Sequence, residues 1–360
     1  MLNQTNIKVA SKRLPWIDVT KGLLILLMVM GHIINNAGNQ GIDNTYLIKS
    51  TSFASLYICF FMQAFIILTG YTSNFEKNFK EFSISLVKAI IIPWVSFSFI
   101  CQLERIVSGE GGAFLTIGNQ KYFFLIEDFW FLHVLFFGKL SYYFLYKYIK
   151  IDYLRAAILL IMMVCGFTVF AEHSDMPNIY HYNNFLHWKD LLCMTFFLWF
   201  GNYCRRKEVF QFLKGRYFII ILLFYLIGHV MRFFFRMKGL DEFLIAPVII
   251  SHGGNAISPL QIPAYLYYVI LGSLTCFGIM RYINKCSFLE YFGRNSLVVY
   301  CMHFVFLGIA VKAINVVIDP VSILNAFLFI VCSLGLVLLS CTAIIFITKH
   351  KPFNYLIGNF

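Results

Sequence analysis

Runs of about twenty apolar residues bounded by charges recur along the whole chain, and no other feature restricts its folding so severely. Such a run has too few polar side chains to face water. In hydrocarbon a backbone must satisfy its own hydrogen bonds, so each run is predicted to be a transmembrane helix. Ten runs are found, at about residues 16–37, 53–73, 83–103, 128–148, 155–171, 189–204, 217–236, 263–283, 296–316 and 321–348. At roughly 20 residues per crossing, ten crossings use most of the 360 residues and leave short loops. The predicted fold is all-α: one domain, 1–360, a polytopic transmembrane helix bundle of about ten spans. With 60 % apolar and 13 % charged residues, secreted enzymes, nucleic-acid readers and coiled-coil scaffolds are excluded.

The net charge of +12 is read as the basic loops that hold one face in the cytoplasm, with no nucleic-acid partner. Placing the N-terminus inside puts 20 of the 29 lysines and arginines on the inner side. An even number of spans then returns the C-terminus to that side, so both termini are expected in the cytoplasm. Lys12 and Arg13 precede the first run and no small-residue cleavage site follows it, which reads as a retained span. The ten cysteines show no CxxC or zinc-knuckle spacing and are expected as small core residues. The outer-loop group Glu172, His173, Asp175, His181 and His187 matches no metal motif, so no metal is expected.

Ionisable residues within spans are costly and are functional candidates by default. The first span carries Asp18, Lys21 and His32. At about 100° per residue all three fall on one helical face, with His32 about 16 Å deeper than Lys21. A cation at the cytoplasmic mouth above an imidazole suits an anionic co-substrate entering from the cytosol. The alternative is a snorkelling lysine and a histidine bonded to a neighbouring helix. In the ninth span Ser296, Tyr300 and His303 follow the i, i+4, i+7 pattern, as a second polar wall or as a packing contact. The fourth span opens with Trp130 and His133 and carries Lys139 near its middle, a lysine that needs a partner the sequence does not name. The seventh ends outward with His229, Arg232 and Arg236. These either are neutralised by Asp241 and Glu242 or hold an anion such as a lipid-linked phosphate.

The residues also resemble a family. Arg13-Leu-Pro-Trp-Ile-Asp18-Val-Thr-Lys21, running on to Gly31-His32, is similar to the opening signature of the acyltransferase-3 family of membrane O-acyltransferases, a basic residue and then a histidine after ten positions. Phe65-Ile-Ile-Leu-Thr-Gly70-Tyr71 resembles the family's Ser-Gly-Phe-type segment, with Thr69 in place of serine. Lys88 through Pro93-Trp94 resembles its basic-then-proline start to helix 3. Trp130-Phe-Leu and Gly293-Arg-Asn-Ser296 through Tyr300 and His303 resemble its helices 4 and 9. The family's inner-loop Arg-x-x-Arg pair is here Lys77-Asn-Phe-Lys80, which lacks the bidentate fork of guanidinium.

The resemblance implies transfer of an acyl group, usually acetyl, from cytosolic acetyl-CoA to a hydroxyl of a cell-envelope carbohydrate. The acceptor would be O-antigen, capsule or exopolysaccharide, free or lipid-linked, and the location the bacterial inner membrane. By implication His32 is the catalytic base with Lys21 and Asp18 beside it; Lys21, Lys77, Lys80 and Lys88 hold the coenzyme, a co-substrate and not a tightly bound cofactor. Trp130, His133, His229, Arg232, Arg236, Tyr300 and His303 are the substrate-binding candidates, and membrane lipid is the surrounding partner. The rival reading is a transporter or flippase of a lipid-linked glycan. Against it, repeated halves and matched broken helices are absent from the sequence. A non-enzymatic envelope partner gives no reason for Lys21 and His32 to share a face.

Overall fold

The computed structural model describes residues 14–42, 45–47, 60–107, 129–168, 188–237 and 261–358. Glu172, His173, Asp175, His181 and His187, together with Asp241 and Glu242, lie outside the described residues, as does the side chain of Arg236.

Twelve α-helices are described. In chain order they are α1 (Pro15–Asn39), α2 (Phe61–Thr72), α3 (Phe79–Leu86), α4 (Ile92–Val107), α5 (Trp130–Tyr148), α6 (Asp152–Thr168), α7 (Trp188–Arg206), α8 (Arg216–Met237), α9 (Ile262–Ile283), α10 (Ser287–Arg294), α11 (Ser296–Asn315) and α12 (Ile323–Thr348). Among the described residues there is no strand. All ten apolar runs carry a helix, and six of these are long and apolar enough to cross a membrane: α1, α3 with α4, α8, α9, α11 and α12. Among the described residues α2 and α6 are shorter, with 12 and 17 residues.

Two departures from the expected boundaries have local causes. The third run starts earlier, at Phe79, because Asn78 caps the helix by accepting from the Glu81 amide at 2.9 Å. It then passes through one π turn, Val87–Ile91, before α4. The other departure is α10, an eight-residue helix with polar and apolar faces ahead of α11. It is too short and too charged to register as an apolar run.

α1 is the hub: it packs against α2, α9, α10, α11 and α12. Two crossings bring backbones into contact through reciprocal glycines. A Cβ on Gly22 would overlap the Leu289 carbonyl of α10, and one on Gly293 would overlap the Asp18 carbonyl of α1. Likewise Gly70 of α2 lies against the Leu198 carbonyl of α7, and Gly201 of α7 against the Ile67 carbonyl of α2. Small residues allow this approach where helices gain nothing by excluding water from one another.

α8 packs mainly on α9 and leaves its other side uncovered. Ile219, Leu223, Phe224, Ile227, Val230, Phe233 and Phe234 are each about half exposed or more. A surface so apolar is suited to lipid, and the protein is an integral multi-pass membrane protein.

Charged contacts tie the helix ends at one side. Arg206, at the end of α7, makes a bidentate pair with Asp152 at 2.9 and 2.6 Å, and the buried Arg155 reaches the same carboxylate at 2.7 Å. Asp152 and Arg206 lie outside the apolar runs 155–171 and 189–204. The Arg206 hydrogen bonds hold the Asp152 carboxyl below the usual carboxylate range, against the opposing effect of burial.

Candidate functional site

A cavity of about 460 Å³ opens among α1, α2, α3, α5 and α11, within the size range of small-molecule sites. Each helix contributes residues at helical spacing. α1 presents Lys21, Ile25 and Met28, α2 presents Met62, Phe65, Thr69 and Thr72, and α5 presents Phe131, Leu132, Leu135 and Lys139. α3 and the π turn add Phe82, Ser85, Ala89 and Ile90, and α11 adds Ser296, Leu297 and Tyr300. Ser73, Asn74 and Lys77 close it from the loop after α2.

Three ammonium groups, Lys21, Lys77 and Lys139, therefore face one space, and among the described residues no Asp or Glu lines it. Lys139 is the middle residue of α5. It faces the cavity together with two other lysines. Cations that face a concave site raise the potential inside it, which favours negative charge there. The loop bearing Lys77 is pinned, because the Tyr143 hydroxyl donates to the Lys77 carbonyl at 3.0 Å and Lys147 donates to the Glu76 carbonyl at 2.9 Å. The α2 end is fixed in turn by Arg205, which donates to the Ser73 carbonyl at 3.0 Å.

Tyr300 stands in the wall, and its hydroxyl accepts from the Phe131 backbone N–H at 3.3 Å. One turn further along α11 is His303, completely buried. Its Nδ1 lies 3.1 Å from the Val299 carbonyl and 2.8 Å from the Tyr300 carbonyl. Against it, from α1, sits His32, with ring centroids 5.1 Å apart. Phe304 touches both rings, at 4.8 and 3.9 Å between centroids. The α1 and α11 candidates thus converge: Lys21, Ser296 and Tyr300 line the cavity, and the two imidazoles pack together further along the same helices, outside its lining.

Other candidates lie elsewhere. Asp18 is buried and does not line the cavity; Arg294 Nε of α10 is 3.4 Å from its carboxylate, and the close Gly22–Gly293 crossing brings that helix to it. Lys80 and Lys88 are exposed and do not line the cavity. Lys88 sits in the π turn, with its carbonyl against Gly358 near the chain end. Trp130 is buried beside Phe131, and His133 meets Trp94 edge-on at 4.2 Å. Neither lines the cavity. His229 and Arg232 form a separate cluster on α8 and α9: His229 packs against Tyr225 and Tyr268, and the Arg232 guanidinium lies 5.6 Å from the Tyr268 ring centroid.

Sequence reasoning flagged Lys139 as anomalous without including it among the site residues. The hint was its depth in a span; its neighbours depend on which helices pack together.

No curated protein and no solved structure matches the chain. A family model described as an acyltransferase domain matches residues 14–346, which takes in every helix from α1 to α11 and nearly all of α12. With that match the chain belongs to the acyltransferase-3 family of membrane O-acyltransferases.

Proposed function

We propose that the protein moves an acetyl group from acetyl-CoA, bound from the cytoplasmic side, to a hydroxyl of a cell-envelope carbohydrate such as O-antigen, capsule or exopolysaccharide. In this reading the bundle has ten spans, both termini are cytoplasmic, and the membrane is the bacterial inner membrane. The observation that carries it is the cavity faced by Lys21, Lys77 and Lys139, with no carboxylate among the described lining residues, and the His32–His303 pair further along α1 and α11, the helices that supply Lys21 and Tyr300 to it. Phosphates of the coenzyme fit the lysines, and the pantetheine arm fits the apolar stretch of Ile25, Met28, Phe65 and Leu135.

The chemistry needs little more. A thioester is already activated, whereas a sugar hydroxyl is a poor nucleophile until a base takes its proton. His32 takes that proton as the hydroxyl oxygen attacks the thioester carbonyl carbon. The tetrahedral intermediate then collapses with cleavage of the C–S bond, and His32 returns the proton to sulfur, giving free coenzyme A and the acetyl ester. Lys21 serves as the cation at the mouth, and the apolar walls exclude water that would hydrolyse the thioester.

The test follows label from acetyl-CoA in membranes containing the wild type or His32→Ala at equal protein level, with the host glycan supplied. Label is expected in glycan with the wild type and to fall by about 10²–10⁴-fold in the variant. Equal labelling by both proteins would remove His32 from the mechanism. No thioester consumption with acceptor present would refute the transferase reading.

A further inference from the structure

His303 takes no part in the reaction above. Its Nδ1 faces two backbone carbonyls, of Val299 and Tyr300. Carbonyl oxygens only accept, so Nδ1 must carry the proton. A neutral imidazole protonated at Nδ1 presents Nε2 as a lone-pair acceptor. That Nε2 is buried and has no hydrogen-bond partner among the described residues. Buried acceptors without a partner are uncommon and call for an explanation. The adjacent polar side chain is His32, reached from α1, and Phe304 packs on both rings.

We propose that His303 is the positioning residue for His32: its Nε2 accepts the N–H of the His32 imidazole when substrates are bound. Catalytic hydrogen bonds often tighten only in the loaded enzyme, and the two rings are already neighbours. The bond fixes which His32 nitrogen keeps its lone pair and aims that nitrogen at the acceptor hydroxyl. When His32 takes the hydroxyl proton, its other N–H stays bonded to Nε2, so the new charge is held while the C–S bond breaks. No proton passes to His303. The backbone carbonyls of α11 hold His303 in this tautomer, the part an orienting carboxylate takes in other base pairs. The inference rests on the transferase reading and on His32 as its base.

Two amide replacements separate the nitrogens. His303→Gln puts an acceptor oxygen where Nε2 stood. His303→Asn puts an N–H where Nδ1 stood, keeping the contact to the Val299 and Tyr300 carbonyls and losing the acceptor. Detergent-purified variants, checked for folding by thermal unfolding, are assayed with acetyl-CoA and acceptor beside the wild type and His32→Ala. We expect Asn to lower kcat by about ten- to a hundredfold relative to Gln, with KM for acetyl-CoA unchanged in both. Asn equal to or above Gln would overturn the inference, because then only the backbone contact at Nδ1 matters. A loss in KM alone would overturn it as well.

The wild type offers a second check should neither variant fold. In ¹⁵N-histidine spectra, His32→Ala should shift the resonances of a neutral imidazole protonated at Nδ1. If the imidazole that responds carries its proton at Nε2, the proposal fails. A wild type that consumes no thioester, or a fully active His32→Ala, would instead sink the transferase reading on which this rests.

Discussion

Replacing Lys139 by methionine removes one of the three charges facing the cavity while keeping nearly the same length and apolar stem. The consequence depends on what fills the space. With a phosphate about 4 Å from the ammonium and an effective dielectric near 20, the attraction is about 4 kcal/mol before desolvation. Net of the water that both groups give up, a charge-assisted hydrogen bond contributes about 1.5–3 kcal/mol. That corresponds to a rise of roughly ten- to 150-fold in KM for acetyl-CoA, with kcat little changed. The empty protein should respond in the opposite sense. Lys139 shares its cavity with Lys21 and Lys77, and among the described residues no acid lines the walls. Methionine therefore relieves repulsion among the three lysines, and thermal unfolding should move upward by about a degree or more. Weaker donor binding in a more stable protein is the signature of a cation kept for a ligand. The measurements are steady-state kinetics against acetyl-CoA and unfolding of the ligand-free protein in the same detergent. An unchanged KM, or a variant less stable than the wild type, would refute the reasoning.

Other perturbations have distinct signatures. Asp152→Asn breaks the bidentate pair with Arg206 and strands the buried Arg155, so it should cost about 1–3 kcal/mol at neutral pH in detergent unfolding. Because the Asp152 carboxyl is held below its usual range, its contribution is present above an unfolded value of about 3.9. It is lost as pH falls through the lower folded value, so the gap between wild type and variant should close only below about pH 4. Gly201→Ala drives a methyl into the Ile67 carbonyl and should destabilise by about 1–3 kcal/mol. Gly335→Ala meets nothing within 4 Å and should be neutral or slightly stabilising by the same measurement. Tyr300→Phe removes the acceptor of the Phe131 N–H; it should cost about 1–3 kcal/mol in unfolding, and equal stability would show that the amide is satisfied otherwise.

The helices were readable because bilayer thickness imposes one length on every crossing. All ten apolar runs carry a helix, with ends displaced by a few residues where caps such as Asn78 act. The π turn was not readable, since one extra residue per turn leaves an apolar run looking the same. α10 was not readable either, because eight residues with charged Glu290 and Arg294 give no hydropathy signal. For the site, helical spacing put Lys21 and His32 on one side of α1, and Ser296, Tyr300 and His303 on one side of α11, and the structure brings the two sets together. Spacing along one helix could not tell that Asp18 meets Arg294 of α10, or that Lys139 of α5 joins Lys21. Those facts depend on which helices are neighbours, and the glycines that decide it act in pairs far apart in the chain.

The π turn at Val87–Ile91 gives the helix formed by α3 and α4 one residue more than a regular α-helix needs between its two buried faces. Deleting a residue from an ordinary helix turns everything beyond it by about 100°. Here a deletion at Lys88, which points outward, would only draw the wide turn into α geometry. Phe82 and Leu86 before it, and Trp94 and Phe97 after it, would keep their faces. The chain thus holds its slack beside Ser85, Ala89 and Ile90 on the cavity wall, where gaining or losing a single residue resizes the chamber without unseating the bundle.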